Sequence, residues 1–169
     1  MGSAEIKTRD QIRKEDKWDL SSLFKSESDW EKALAEMNSI IPTLSRFKGT
    51  LGQSAEKLAK CLKAMTAFQI LAEKTGSYAM LQFNADGSDP QNQKRYGLYI
   101  SAATKAEAET SYLVPEIQAI DDDRMAQFMQ SPLLNNQTSH LLKIYKKPYN
   151  FLLPLLVLPL LIHTYILFH

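Results

Sequence analysis

Apolar residues recur at helical spacing along most of the chain. The first apolar stripe consists of Trp30, Leu34, Met37 and Ile41. Their separations of four, three and four residues place them on one face of a single helix. Ser28 and Glu31, three residues apart at the start of this stripe, predict a capping box. Pro42 is expected to end or kink the helix.

Two longer helices are predicted after a connection that contains Gly49 and Gly52. Ser54 is suited to cap the second helix, which can run to about Phe83. Its stripe consists of Leu58, Leu62, Met65, Phe68 and Leu71. Gly76 is a weak point in this helix, because a glycine costs about 1 kcal/mol relative to alanine in a helix interior.

A turn over residues 86–90 separates the second helix from the third, whose first turn suits Pro90. The stripe of the third helix consists of Tyr96, Tyr99, Ala103 and Ala106. Residues 114–117 interrupt it, and Asp121 is expected to cap a short helix after them. No stretch alternates apolar and polar residues for long enough to require a strand. The pattern therefore predicts an all-α protein, built as a helical bundle or an array of helical hairpins.

Charge and cysteine content narrow the range of functions. The 169 residues carry 20 Lys and Arg against 19 Asp and Glu, a net charge of +1. A chain that binds nucleic acid normally presents a strongly basic face, so this class is not expected. Cys61 is the only cysteine, which excludes an internal disulfide and fits a reducing compartment. Its apolar neighbours predict a buried thiol.

Five short segments, in this order and spacing, resemble the N-terminal region of oligoendopeptidase F, a family of zinc oligopeptidases. They are residues 17–24 (KWDLSSLF), 28–31 (SDWE), 47–51 (FKGTL), 78–79 (YA) and 114–117 (VPEI). The resemblance covers roughly residues 5 to 146. It implies an N-terminal arm over residues 1–25, a helical domain over 26–147 and a non-matching apolar tail over 148–169.

The resemblance also implies a function. In this family two helical halves enclose a channel in which short peptides are cut, and the N-terminal part supplies wall and cap. Zinc is held further along the chain, on a His-Glu-x-x-His helix whose Glu acts as the base. Tyr96 and Tyr99 are candidates to face that channel, although aromatic residues at helical spacing are usually core.

The catalytic pattern of the family is not found among these residues. His140, His163 and His169 are the three histidines, and none is followed by Glu and by a second His at the required spacing. The acidic run 121–123 is explained by a helix start, and residues 86–89 are explained by a turn. We therefore predict no catalytic residue, no metal ligand and no cofactor in this chain, zinc belonging to the full-length family.

The last 19 residues, 151–169, contain 13 Leu, Ile, Val or Phe. As a helix they would be about 28 Å long, close to the thickness of a bilayer core. Three explanations stay open: out-of-frame sequence after Lys146, a membrane anchor or a buried helix. The abrupt loss of both charge and resemblance favours the first. An anchor would place in the membrane Phe151, Leu155, Leu158, Ile162 and Ile166.

The leading hypothesis is a truncated, cytoplasmic oligoendopeptidase-F-like protein that is inactive alone. Its all-α fold would correspond to the N-terminal region of the peptidase, followed by an apolar C-terminal helix or disordered tail. Its partners would be oligopeptides in the parent family and a separately encoded catalytic half. The alternative is a small helical interaction module that its C-terminal tail tethers to a membrane.

Overall fold

The structure, a computed structural model, describes residues 11–137, 141, 144 and 145. These residues form helices and no strand, so the predicted all-α fold is confirmed for this part of the chain. The α-helices are α1 (Glu27–Leu44), α2 (Ala55–Ala85), α3 (Pro90–Thr110), α4 (Leu113–Gln118) and α5 (Asp122–Met129). Short 3-10 helices lie at Lys14–Asp16, Ser45–Phe47 and Pro132–Gln137.

The cap of α1 is Ser26 and not Ser28, so the predicted capping box is wrong by two residues. The Ser26 side chain accepts a hydrogen bond from the backbone N–H of Asp29 at 3.2 Å. Ser28 has the Glu three positions later that a capping box requires, whereas Ser26 has Asp29, so the local pattern favours the serine that is not the cap. The earlier start brings Glu27 into the first turn of the helix.

Replacing Ser26 with alanine is expected to lower the free energy of unfolding by about 1 kcal/mol, because an N–H of the first turn loses its acceptor. Ser28→Ala is the matched control and should change stability by less than about 0.5 kcal/mol, since this exposed side chain caps nothing. Urea unfolding followed by circular dichroism measures both values. A larger loss for Ser28→Ala would contradict the assignment.

The end of α1 also differs from the expectation. Pro42 lies inside the helix, which continues to Leu44. Ile41 and Leu44 are fully buried on either side of it, while Pro42 itself is exposed. The apolar stripe thus extends past the proline and holds the last turn against the core.

The predicted starts of the later helices are confirmed. Ser54 caps α2 and accepts from the N–H of Lys57 at 3.2 Å, and Pro90 occupies the first turn of α3. Asp121 caps α5 and accepts from the N–H of Arg124 at 2.9 Å.

Helices α1, α2 and α3 pack against one another, and α2 is long enough to serve two hydrophobic cores. With 31 residues it extends about 46 Å. Its C-terminal half, α1 and α3 form the first core, which includes Trp30, Met37, Phe68, Ala79 and Tyr99. Its N-terminal half meets α4 and α5 in the second core, which includes Leu58, Cys61, Ile117, Phe128 and Leu134.

The residues before α1 are held on the first core. Leu20, Leu23 and Phe24 pack against it, and the Phe24 ring meets the Tyr78 ring edge-on at 5.3 Å. Trp18, in the same segment, is 58% exposed. The predicted arm, residues 1–25, therefore includes three residues that pack on the first core.

Candidate functional site

Tyr99, one of the two tyrosines predicted to face a channel, lies across the backbone of α2. It is 4% exposed and belongs to the first core. A Cβ atom built on Gly76 would lie 2.7 Å from Cε2 of Tyr99 and closer still to Cζ and the hydroxyl oxygen. Gly76, identified in the sequence as a weak point, therefore leaves the space on α2 that the Tyr99 ring of α3 occupies. A residue with a side chain at this position would collide with the ring.

The Tyr99 hydroxyl makes no hydrogen bond with any residue in the described part of the chain. Burial raises the pKa of this phenol, with smaller contributions from Tyr96 and Glu73. By contrast, the Tyr112 hydroxyl donates to the carbonyl of Leu44 at 2.6 Å. A buried hydroxyl without a partner is uncommon in folded proteins.

Tyr96 is half-buried at the surface between α2 and α3. Its ring stacks on that of Phe83, with centroids 4.9 Å apart and planes 15° from parallel. The structure therefore places both candidate tyrosines along the contact between α2 and α3. Whether either side chain faces a peptide channel stays a prediction.

A buried arginine joins α3 to the start of α1. Arg95 is 5% exposed, and its Nε donates to both carboxylate oxygens of Glu27, at 3.0 and 3.1 Å. A second nitrogen donates to Oδ1 of Asn92 at 2.6 Å. The guanidinium also lies 5.7 Å from the ring centre of Trp30 and 5.6 Å from that of Tyr78.

Sequence reasoning missed this cluster. Glu27 and Arg95 are 68 residues apart, and a charged residue on a helix is usually solvated. The cluster satisfies its own charges, so its chemistry is that of a fixed structural link between α1 and α3.

Cys61 is buried in the second core, as predicted. Its Sγ lies 3.9 Å from the Tyr112 hydroxyl oxygen. Burial raises the pKa of the thiol to about 11, against a smaller opposing effect of the Tyr112 hydroxyl. A thiol of this kind is a poor nucleophile near neutral pH, because the thiolate is the reactive form.

We expect native Cys61 to react with a disulfide reagent at pH 8 at least about 100-fold more slowly than in denaturant, since only about one thiol in a thousand is ionised there. The pKa is raised, so the native rate should increase about tenfold per pH unit until it approaches the pKa. The absorbance of the thiol that the reagent releases measures this reaction rate. Fast labelling of the folded chain at pH 8 would contradict the buried, protonated thiol.

Comparison with known proteins finds two curated relatives of this chain. No family model matches the chain. Oligopeptidase PepF of Bacillus subtilis is 33% identical over 132 residues, which is 74% of this chain and 19% of that protein. An oligoendopeptidase F homolog of Borreliella burgdorferi is 29% identical over 141 residues, covering 82% of this chain and 23% of that protein.

The predicted resemblance to oligoendopeptidase F is confirmed.

A solved structure supports the helical fold of this chain independently. The crystal structure of a presumed peptidase from Chlamydophila abortus superposes with a TM-score of 0.76 at 22% identity. The superposed region covers 84% of this chain and 24% of that protein. The chain thus spans about a fifth to a quarter of the length of the proteins it matches.

The structure describes the acidic residues considered as metal ligands but not the histidines. Among residues 11–137, 141, 144 and 145, no group of three or more His, Cys, Asp or Glu side chains is placed to hold a metal ion. Asp121, from the acidic run, acts as a helix cap. Asp86 accepts hydrogen bonds from the N–H and hydroxyl of Ser88 at 3.0 and 2.7 Å, which is a turn. His140, His163 and His169 lie outside the described residues.

The alternative hypothesis, a helical module tethered to a membrane, depends on the apolar tail over residues 148–169. No helix in the part of the chain that the structure describes combines the length and apolar character needed to cross a bilayer. The residues predicted to form an anchor, Phe151, Leu155, Leu158, Ile162 and Ile166, lie outside that part.

Proposed function

We propose that this chain is the helical N-terminal segment of an oligoendopeptidase-F-like zinc peptidase of the cytoplasm. Its role would be to form wall and cap of the channel in which oligopeptides are cut. The observation that carries the proposal is the pair of matches, which run over 74% and 82% of this chain but only 19% and 23% of the peptidases.

We further propose that the 169-residue chain alone hydrolyses no peptide. None of its three histidines lies in the His-Glu-x-x-His pattern that holds zinc in this family. The zinc ligands would then come from additional polypeptide, either continuous with this segment in a full-length enzyme or supplied as a separate catalytic half.

The test is to incubate the purified chain with zinc and a quenched fluorescent oligopeptide. Bacillus subtilis oligopeptidase PepF serves as the positive control. We expect a fluorescence increase with the control and none with this chain. Turnover that a chelator abolishes and zinc restores, in a preparation free of host peptidase, would reject the proposal.

The need for a separate catalytic half has its own test. The tagged chain is expressed in its native host and recovered under mild conditions. We expect a peptidase polypeptide that contains the His-Glu-x-x-His pattern to co-purify. Recovery of the chain alone would leave only the continuous enzyme as the source of the zinc site.

A further inference from the structure

Two side chains connect the first core with the second in the described part of the chain. Met65 lies on α2 between Leu62 of the second core and Phe68 of the first, and it packs against both cores. Tyr112 belongs to the second core, and its hydroxyl donates to the carbonyl of Leu44 at 2.6 Å. Leu44 is the last residue of α1 and belongs to the first core. The Tyr112–Leu44 hydrogen bond therefore crosses from one core to the other.

The Tyr112–Leu44 hydrogen bond is removed from water. Tyr112 is 8% exposed, and Leu44 is fully buried. The last carbonyls of an α-helix have no N–H partner four residues on within the helix, and this hydroxyl supplies a donor at the end of α1. A buried acceptor that loses its donor destabilises the folded state. The bond forms only while both cores are in place, so each core stabilises the other through it.

The second core is expected to be the less stable of the two, because its helices are short. The first core is built from α1 and α3, with 18 and 21 residues, and from the C-terminal half of α2. Helices α4 and α5 have only six and eight residues. A helix shorter than about 12 residues is marginal in water unless it packs against other elements. Separation of the two cores would therefore unfold α4 and α5 before the longer helices.

We propose that the Tyr112–Leu44 hydrogen bond is a conformational joint that makes the second core unfold together with the first. Loss of this bond releases a partly open state of the chain. In that state α4 and α5 have left the N-terminal half of α2, while α1, α3 and the C-terminal half of α2 keep their native packing. The apolar side chains that become exposed include Leu58 and Ile117 of the second core.

The full chain contains one suitable reporter for each core. Trp30 is 1% exposed and its indole N–H donates to the carbonyl of Thr75 at 3.0 Å, so its fluorescence reports on the first core. The second tryptophan, Trp18, is exposed and is replaced by phenylalanine to give the parent chain. Cys61 is the only cysteine and is buried in the second core. A short pulse of a thiol reagent then labels the chain only where the second core is open.

Urea titration of the parent chain should give the same midpoint with both reporters, as in a single cooperative transition. Tyr112→Phe is expected to lower the Cys61 midpoint by at least about 0.5 M, through loss of one buried hydrogen bond. The Trp30 midpoint should decrease by less than about 0.2 M, because the first core keeps its own contacts.

Tyr145→Phe is the matched control. The Tyr145 hydroxyl donates to the carbonyl of Ile120 at 3.2 Å, and both residues belong to the second core or pack against it. This substitution removes a hydrogen bond within one core and leaves the joint intact. Both midpoints should therefore decrease by the same amount.

Three results would overturn the joint. One is an equal decrease of both midpoints after Tyr112→Phe, which would mean that this hydroxyl acts like that of Tyr145. The second is two separate midpoints in the parent chain, which would mean that the bond does not couple the cores. The third is a Tyr112→Phe chain whose Trp30 fluorescence is not native in the absence of urea, since the first core should persist without the second. None of these results depends on peptide hydrolysis.

Discussion

Replacing Gly76 with alanine is expected to destabilise the chain by about 2 kcal/mol or more. The added Cβ would overlap the ring tip of Tyr99, which belongs to the first core and cannot withdraw without disturbing its packing. The intrinsic helix preference of alanine offsets only about 1 kcal/mol of this loss. Urea unfolding monitored by circular dichroism gives the difference.

Gly97 provides the matched control for this substitution. It also lies in a helix, and a Cβ at this position would meet nothing within 4 Å. Gly97→Ala should therefore stabilise the chain by about 1 kcal/mol through helix preference alone. Combining Gly76→Ala with Tyr99→Leu should recover part of the loss, because the shorter side chain ends before α2. A stabilising Gly76→Ala would show that the two helices separate easily.

Replacing Arg95 with methionine is expected to lower the free energy of unfolding by about 3 kcal/mol. The change removes the buried partner of Glu27 and leaves Asn92 without its donor. Glu27 is 31% exposed and recovers some hydration, so the loss should fall at the lower end for a broken buried ion pair. The melting temperature and the urea midpoint should both decrease.

Lys94→Met is the control, because this neighbouring side chain is exposed and should change stability by less than about 0.5 kcal/mol. Arg95→Lys should restore only part of the lost free energy of unfolding. An ammonium group lacks the planar set of donors with which the guanidinium reaches both Glu27 and Asn92. A double-mutant cycle with Glu27→Gln isolates the pair. A coupling energy near zero would contradict a stabilising link between α1 and α3.

The helices and most of their starts were predictable because the signals are local. Ser54, Pro90 and Asp121 each act within one turn of their own position, and the apolar stripes set which side of each helix is buried. The start of α1 was missed because the capping-box pattern fits Ser28 with Glu31, whereas the structure uses Ser26. The start at Ser26 brings Glu27 into the first turn, where its carboxylate accepts from Arg95, a tertiary contact that the local pattern does not contain.

The important features of the candidate site were not predictable for the same reason. Gly76 reads as a weakness in the sequence of α2 and becomes a requirement only when Tyr99, 23 positions later, lies across it. Arg95 is one of several cations on a mostly polar helix, and nothing local marks it as buried. Tyr96 and Tyr99 were selected by family resemblance, and the structure adds that one hydroxyl lacks a partner.

The link between Glu27 and Arg95 has a consequence for synthesis. A ribosome adds residues one at a time from the N-terminus, so α1 emerges long before its partner on α3. The charge of Glu27 and the indole of Trp30 stay without the guanidinium until 68 more residues have followed Glu27. Helix α1 can form early, but its contacts with Arg95 can form only after α3 has left the exit tunnel. Until then the nascent chain is accessible to chaperones and proteases.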